Sequence, residues 1–202
     1  MSLQNRVQPD GSIIATTARG MFMGNRGILH NDQRQLGAAR WKHKAWVCCV
    51  LSFKNRHRTV MAPHNYTELF FLDEAVAIAA GHRPCAECRR ADHTRYVDAW
   101  TAATGIRPKA PDMDAALHPA RVRRDRSHVT FHAPARDLPR GTMVKIADQA
   151  YLLGATMMQP YQTTGYGAPT LRPSGQVSVL TPAPSVAVLR HGYAPHLHPS
   201  AV

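Results

Sequence analysis

Phe70-Phe71-Leu72-Asp73-Glu74-Ala75-Val76-Ala77-Ile78-Ala79-Ala80-Gly81-His82-Arg83-Pro84-Cys85-Ala86-Glu87-Cys88-Arg89 is the stretch of this 202-residue chain that decides how the rest is read. An aromatic run gives way at Asp73-Glu74, an acidic pair suited to a helix N-terminus, where it caps and meets the positive end of the dipole. Alanine-rich residues 74–80 predict a short helix, ended by Gly81 at the usual terminator position. Pro84 suits the first turn of a second helix, predicted over 85–103 and stopped by Gly105. Cys85 and Cys88 then lie three residues apart at a helix start, so that both sulfurs face one point. Zinc takes four tetrahedral ligands and favours thiolate sulfur, and a helix N-terminus favours the thiolate. The same spacing also fits a redox pair or two buried thiols. Redox pairs usually follow a strand in a βαβ setting, which is not the pattern here.

Working upstream, Ala45-Trp46-Val47-Cys48-Cys49-Val50-Leu51-Ser52-Phe53 predicts a buried strand. Lys54-Asn55-Arg56 turns the chain, residues 57–61 return as a partner strand, Pro63-His64-Asn65 turns again, and 66–71 forms a third strand. Before these, Arg19 to His30 carries Gly20, Gly24 and Gly27 among two arginines, which predicts a loop whose backbone approaches something closely. Downstream, Asp112 caps a brief helix through Leu117, and residues 128–132 predict a strand. From Pro139 the texture changes to short strands over 141–146, 150–153 and 176–180, with a helical turn over 185–190. The expected architecture is α+β: a zinc-knuckle N-terminal part with a short meander and two helices, followed by a small β-rich, barrel-like part. The expected divisions are 19–105 for the knuckle with its glycine-rich loop, 106–138 for a basic connection, 139–193 for the β-rich part and 194–202 for a flexible tail.

The net charge is +12, and 16 of the 25 Lys and Arg fall in residues 1–110. A positive field of this size attracts polyanions, and the expected partner is nucleic acid, with DNA ahead of RNA. Arg89, Arg90, Arg121, Arg123, Arg124 and Arg126 are the residues expected to meet its backbone. A solvated basic face is the alternative. No apolar run approaches the roughly 20 residues that span a bilayer, and no basic-then-apolar leader opens the chain. The expectation is therefore a cytoplasmic protein with no membrane partner, in which four cysteines serve a metal or a reactive thiol rather than disulfides.

The strand, alanine-rich helix, glycine and Arg83-Pro84-Cys85-Ala86-Glu87-Cys88-Arg89 resemble the metal-binding domain of Ada-type DNA-alkylation repair proteins and related zinc knuckles. The resemblance is tight over about a tenth of the chain and loose back to Trp46. It implies zinc held with the help of an upstream cysteine pair, and a methyl group taken from a DNA phosphotriester. In that family the upstream cysteines are spaced by three residues, whereas Cys48 and Cys49 are adjacent and point to opposite faces of a strand. One of them is expected to join Cys85 and Cys88 and the other to enter the core. His57, His64 or His82 then supplies the fourth ligand, which makes a structural zinc the simpler expectation.

Pro84-Cys85-Ala86-Glu87-Cys88 also resembles the second half of the zinc deaminase pattern. That family needs an upstream His-x-Glu or Cys-x-Glu. Here Glu68 lies at a suitable distance, but Tyr66 stands two residues before it and His64 four. Arg26, His30 and Glu68 are the candidate catalytic residues: Arg26 to grip a phosphate, His30 as general acid or base, and Glu68 as a lone acid in an apolar strand. The alternatives are a salt-bridged Arg26 in a tight loop and a solvent-facing Glu68. Three readings follow: a nucleic-acid-binding or nucleic-acid-processing protein with structural zinc, a zinc-dependent hydrolase or nucleobase deaminase with an open metal position, and a non-enzymatic interaction module.

Overall fold

The glycine-rich segment expected as a loop supplies an inner strand of a sheet. The structure, a computed structural model, describes residues 2–55 and 59–202. Among these, β3 (Phe22–Asn25) pairs antiparallel with both β4 (Val47–Val50) and β5 (Leu69–Phe71). Its glycines serve strand contact. A Cβ on Gly24 would sit 2.1 Å from the Val47 carbonyl oxygen, and one on Gly20 2.1 Å from that of Phe71. With β1 (Gln4–Val7), β2 (Ile13–Ala15) and β6 (Arg83–Pro84), these strands form a six-stranded sheet in the order β2-β1-β5-β3-β4-β6. The expected meander is thus replaced by a crossover order. Of its return strand over 57–61, residues 57 and 58 lie outside the described residues, and 59–61 are not strand.

α1 (Glu74–Ala79) starts where the sequence places it, because Asp73 Oδ1 accepts from the Val76 N–H at 3.0 Å. Its small side chains let it sit wholly buried in a core that also takes Val7, Phe22 and Leu69 from the first sheet and Met143, Leu152 and Tyr166 from the C-terminal half. The two halves therefore share one apolar core.

The second helix begins later than expected. β6 pairs parallel with β4, and the Cys85 N–H donates to the Cys48 carbonyl at 3.0 Å, which holds the backbone extended up to Cys85. The cysteine pair occupies the turn after it, and α2 (Arg90–Thr104) follows, ending at Gly105 with φ 76°. α3 (Ala110–Arg121) is longer than the predicted brief helix; Asp112 stands at its third position, accepting from the Lys109 N–H at 2.9 Å.

The C-terminal half is an open sheet. β7 (Phe131–Pro134), β8 (Met143–Ile146), β9 (Gln149–Leu153), β10 (Met157–Gln162), β11 (Gly165–Tyr166) and β13 (Gln176–Val179) run in the order β11-β10-β9-β8-β13-β7, with β12 (Thr170–Leu171) on β10. The barrel-like expectation is corrected: β7 and β11 end the sheet without pairing to each other, so it does not close. α4 (Ala183–Arg190) packs against α2 and α3. The tail expected to be flexible is extended and tied down. Glu74 exchanges two hydrogen bonds with the backbone of His196, the His198 N–H donates to Asp73 Oδ2, and the Val202 N–H donates to Gln159 Oε1. Among the described residues no helix is long and apolar enough to cross a membrane.

Candidate metal centre

Strand alternation separates the adjacent cysteines. Cys49 stands opposite Met23, which in turn stands opposite Phe70, and these three share the sheet face that lines a cleft. Cys48 points the other way, fully buried in the core, where its sulfur accepts from Arg89 Nη1 at 3.3 Å. Burial pushes the Cys48 thiol well up, so it behaves as a buried hydrophobe with one hydrogen bond.

Cys49, Cys85 and Cys88 bring their sulfurs within 4.8 Å of one another. Tetrahedral zinc with bonds of about 2.3 Å places its sulfurs roughly 3.8 Å apart, so the three fit one ion. Cys85 is held well toward the thiolate, chiefly by hydrogen bonds from the Cys49 and Cys88 thiols, with the backbone N–H groups of Cys88 and Glu87 adding to it. The Cys49 thiol is correspondingly pushed up by its hydrogen bonds to Cys85 and Cys88. A cation taken up here would displace the remaining thiol protons, since metal binds the thiolate.

All three sulfurs border a cleft of about 500 Å³. Tyr66, Glu68 and Phe70 line it at alternate positions, with Phe53 and Asn25. Glu68 is only 2% exposed; its Oε2 accepts from the Met61 N–H at 2.7 Å, and Oε1 has no hydrogen-bond partner among the described residues. The cleft thus combines a sulfur cluster, a buried acid with one oxygen unpartnered among the described residues, and aromatic walls.

The other predicted site residues lie elsewhere. His64 is exposed in a turn with φ 62° and is not part of the sulfur cluster, and His57 lies outside the described residues. His82 is fully buried between Trp46 and Phe71, and burial, then the Arg26 and Arg121 charges, push its imidazole well down into the neutral form. Arg26, His30 and Glu68 are not one constellation. The ring of His30 is engaged at both nitrogens, by Thr67 Oγ1 at 2.6 Å and the Ala62 carbonyl at 3.2 Å, which braces the 62–67 turn. Arg26 lines a separate cavity.

Two of the expected nucleic-acid contacts are corrected, because Arg89 and Arg121 are buried. Arg89 pairs with Glu74, and Arg121 lies 3.8 Å over the Trp46 ring while its Nη1 donates to the Gly81 carbonyl at 2.7 Å. Arg90, Arg123, Arg124 and Arg126 remain at the surface. The alternation of Tyr66, Glu68 and Phe70 is the sequence signal that would have placed Glu68 in the cleft; no local signal marks Asn25 as its neighbour.

No protein-family model, curated protein or solved structure matches the chain.

Proposed function

We propose that the protein is a zinc-dependent hydrolytic enzyme whose metal is held by Cys49, Cys85 and Cys88. The observation that carries this reading is Glu68: a buried acid with one oxygen unpartnered among the described residues, in the cleft that Cys49, Cys85 and Cys88 line. With three ligands among the described residues, a fourth position is kept for water or substrate, as in catalytic zinc sites. Zinc bound there supplies a Lewis acid that lowers the pKa of water toward neutrality. Glu68 Oε1 takes the proton of the attacking water and returns it to the leaving group, while the Met61 N–H fixes Oε2. Phe53, Tyr66 and Phe70 suit a planar ring, and the Asn25 amide suits its polar edge. Three-cysteine zinc with a non-ligating Glu is also the equipment of nucleobase deamination, in which water replaces an exocyclic amine and ammonia leaves. Here Glu68 precedes a strand instead of starting a helix, so the likeness is one of chemistry and not of fold.

The test is ammonia release from nucleobases, nucleosides and short single strands by zinc-loaded protein. Release should fall at least about 100-fold on chelation and in Glu68→Gln with zinc retained. Absence of release from every substrate class at full zinc occupancy would sink the deaminase form of the proposal.

A second reading, structural zinc in a nucleic-acid-binding protein, draws on the exposed Arg90, Arg123, Arg124 and Arg126, on the net charge of +12 and on the resemblance to Ada-type domains. It requires DNA binding that weakens steeply with salt, and salt-independent or absent binding would remove it.

A further inference from the structure

Apart from the sulfur-lined cleft, a second cavity of about 450 Å³ is lined by Arg26, Arg40, Arg126, Trp41 and His128. Its volume lies within the usual range of small-molecule sites. We propose that this cavity is a binding site for a phosphorylated planar ligand of the nucleoside monophosphate class, with the phosphate on the three guanidiniums and the ring against Trp41.

Arg26 is the first reason. It is 2% exposed, its Cζ lies 4.1 Å over the Trp46 ring, its Nε donates to His82 Nε2 at 3.4 Å, and its Nη1 donates to the Gly11 carbonyl at 3.1 Å. These contacts fix the guanidinium rigidly. They leave Nη2 buried with no hydrogen-bond partner among the described residues. A buried guanidinium without an anion is costly, and an oxyanion is the acceptor that best fits its fork.

The charge around it is the second reason. Arg40 and Arg126 line the same cavity, each donating from Nη1 to a backbone carbonyl, of Gly37 and Ala38 respectively. Among the described residues no carboxylate forms an ion pair with any of the three arginines. The acid in the lining, Asp10, is committed to Ser12, whose N–H and hydroxyl donate to Oδ1 at 3.0 and 2.6 Å. Among the described residues, three cations and one acid therefore line the cavity.

The remaining groups fit the rest of such a ligand. His128 Nε2 bonds the Leu180 carbonyl at 2.7 Å, so Nε2 carries the proton and the neutral ring keeps Nδ1 as an acceptor for a ligand hydroxyl. Trp41, a half-buried lining residue, is steadied by Trp46 at 6.0 Å and His118 at 5.5 Å between ring centroids. Aromatic stacking of bases tolerates any base, so Trp41 suits purine and pyrimidine rings alike. No residue lining this site belongs to the cysteine cluster.

The test is equilibrium titration of the full-length protein with adenosine monophosphate and with inorganic phosphate at low salt, followed by tryptophan fluorescence and calorimetry. Saturable one-to-one binding is expected, with the nucleotide at least about tenfold tighter than phosphate. Arg40→Gln and Arg126→Gln sit on the accessible side and should each weaken binding several-fold with an unchanged melting temperature. Trp41→Ala should erase the advantage of nucleotide over phosphate. Arg26→Gln should abolish binding; because it can also unfold the protein, the rim variants decide the matter. The two cavities share no lining residue, so Arg40→Gln should leave zinc content unchanged, and failure of the metal centre and failure of this site are read separately. No saturable binding by the wild type, or binding undiminished in the rim variants, would overturn the proposal. Equal affinity for nucleotide and phosphate would overturn the role given to Trp41.

Discussion

Arg89 Nη1 lies 2.8 Å from Glu74 Oε1, and both side chains are buried, at 1% and 0% exposure. The pair joins the start of α1 to the turn that carries Cys85 and Cys88, and its cation also donates to Cys48. Truncating one partner of a buried pair strands the other charge, which costs about 3–5 kcal/mol. Arg89→Ala should therefore lower the unfolding free energy by about that amount, measured by urea denaturation. A loss under about 1 kcal/mol would mean that the pair is far better hydrated than the structure has it.

The C-terminal tail is held by the same carboxylate. The Tyr193 hydroxyl donates to Glu74 Oε1 at 2.6 Å. Hydrogen bonds to charged groups contribute about 1.5–3 kcal/mol. Tyr193→Phe should destabilise by that amount and raise proteolytic cleavage within residues 194–202. A variant as stable and as resistant as the wild type would show that the tail is not anchored there.

His82 makes stability depend on pH with a definite sign. Its folded pKa is held well below the ordinary histidine value, first by burial and then by Arg26 and Arg121. An unfolded histidine protonates below about pH 6.5 while the folded one does not, so stability is present above that pH and lost as pH falls toward the folded pKa. The loss approaches about 1.4 kcal/mol per pH unit for this one residue. Replacing His82 by Gln should lower stability at pH 7.5 but flatten the decline between pH 6.5 and 5, measured by urea midpoints. An unchanged slope would mean that His82 already titrates normally in the folded protein.

Much of this structure was legible in particular residues. The Asp73 cap, the Gly81 and Gly105 terminators and the convergence of Cys85 with Cys88 follow from local rules, and the structure obeys them. The opposite faces of Cys48 and Cys49 follow from strand alternation, although only tertiary pairing decides which face is the cleft. What failed was non-local. Gly20 and Gly24 suggest a loop until the strands that press on them are known. Arg89 and Arg121 suggest a surface because their partners, Glu74, Gly81 and Trp46, are brought together only by the fold. The barrel expectation failed because strand count and spacing do not say whether the two edge strands meet.

The two adjacent cysteines separate by their roles. Cys49→Ser should cut zinc content per chain by at least tenfold in dialysed protein, since it removes one of three thiol ligands. Cys48→Ser should keep the zinc and instead lose stability, by about 1–3 kcal/mol, because a smaller, more polar hydroxyl replaces a fully buried sulfur packed in the core, even with Arg89 Nη1 beside it. The reverse pattern, read by metal analysis and thermal unfolding, would place the metal on the other face of β4.

Zinc-edge X-ray absorption on the purified protein tests the central claim most directly. The proposed centre predicts one zinc per chain, with three sulfurs at about 2.3 Å and one oxygen at about 2.0 Å. Absence of zinc–sulfur scattering would contradict the metal centre itself, and a fourth sulfur or an imidazole in the remaining position would contradict the open site on which the hydrolytic reading depends.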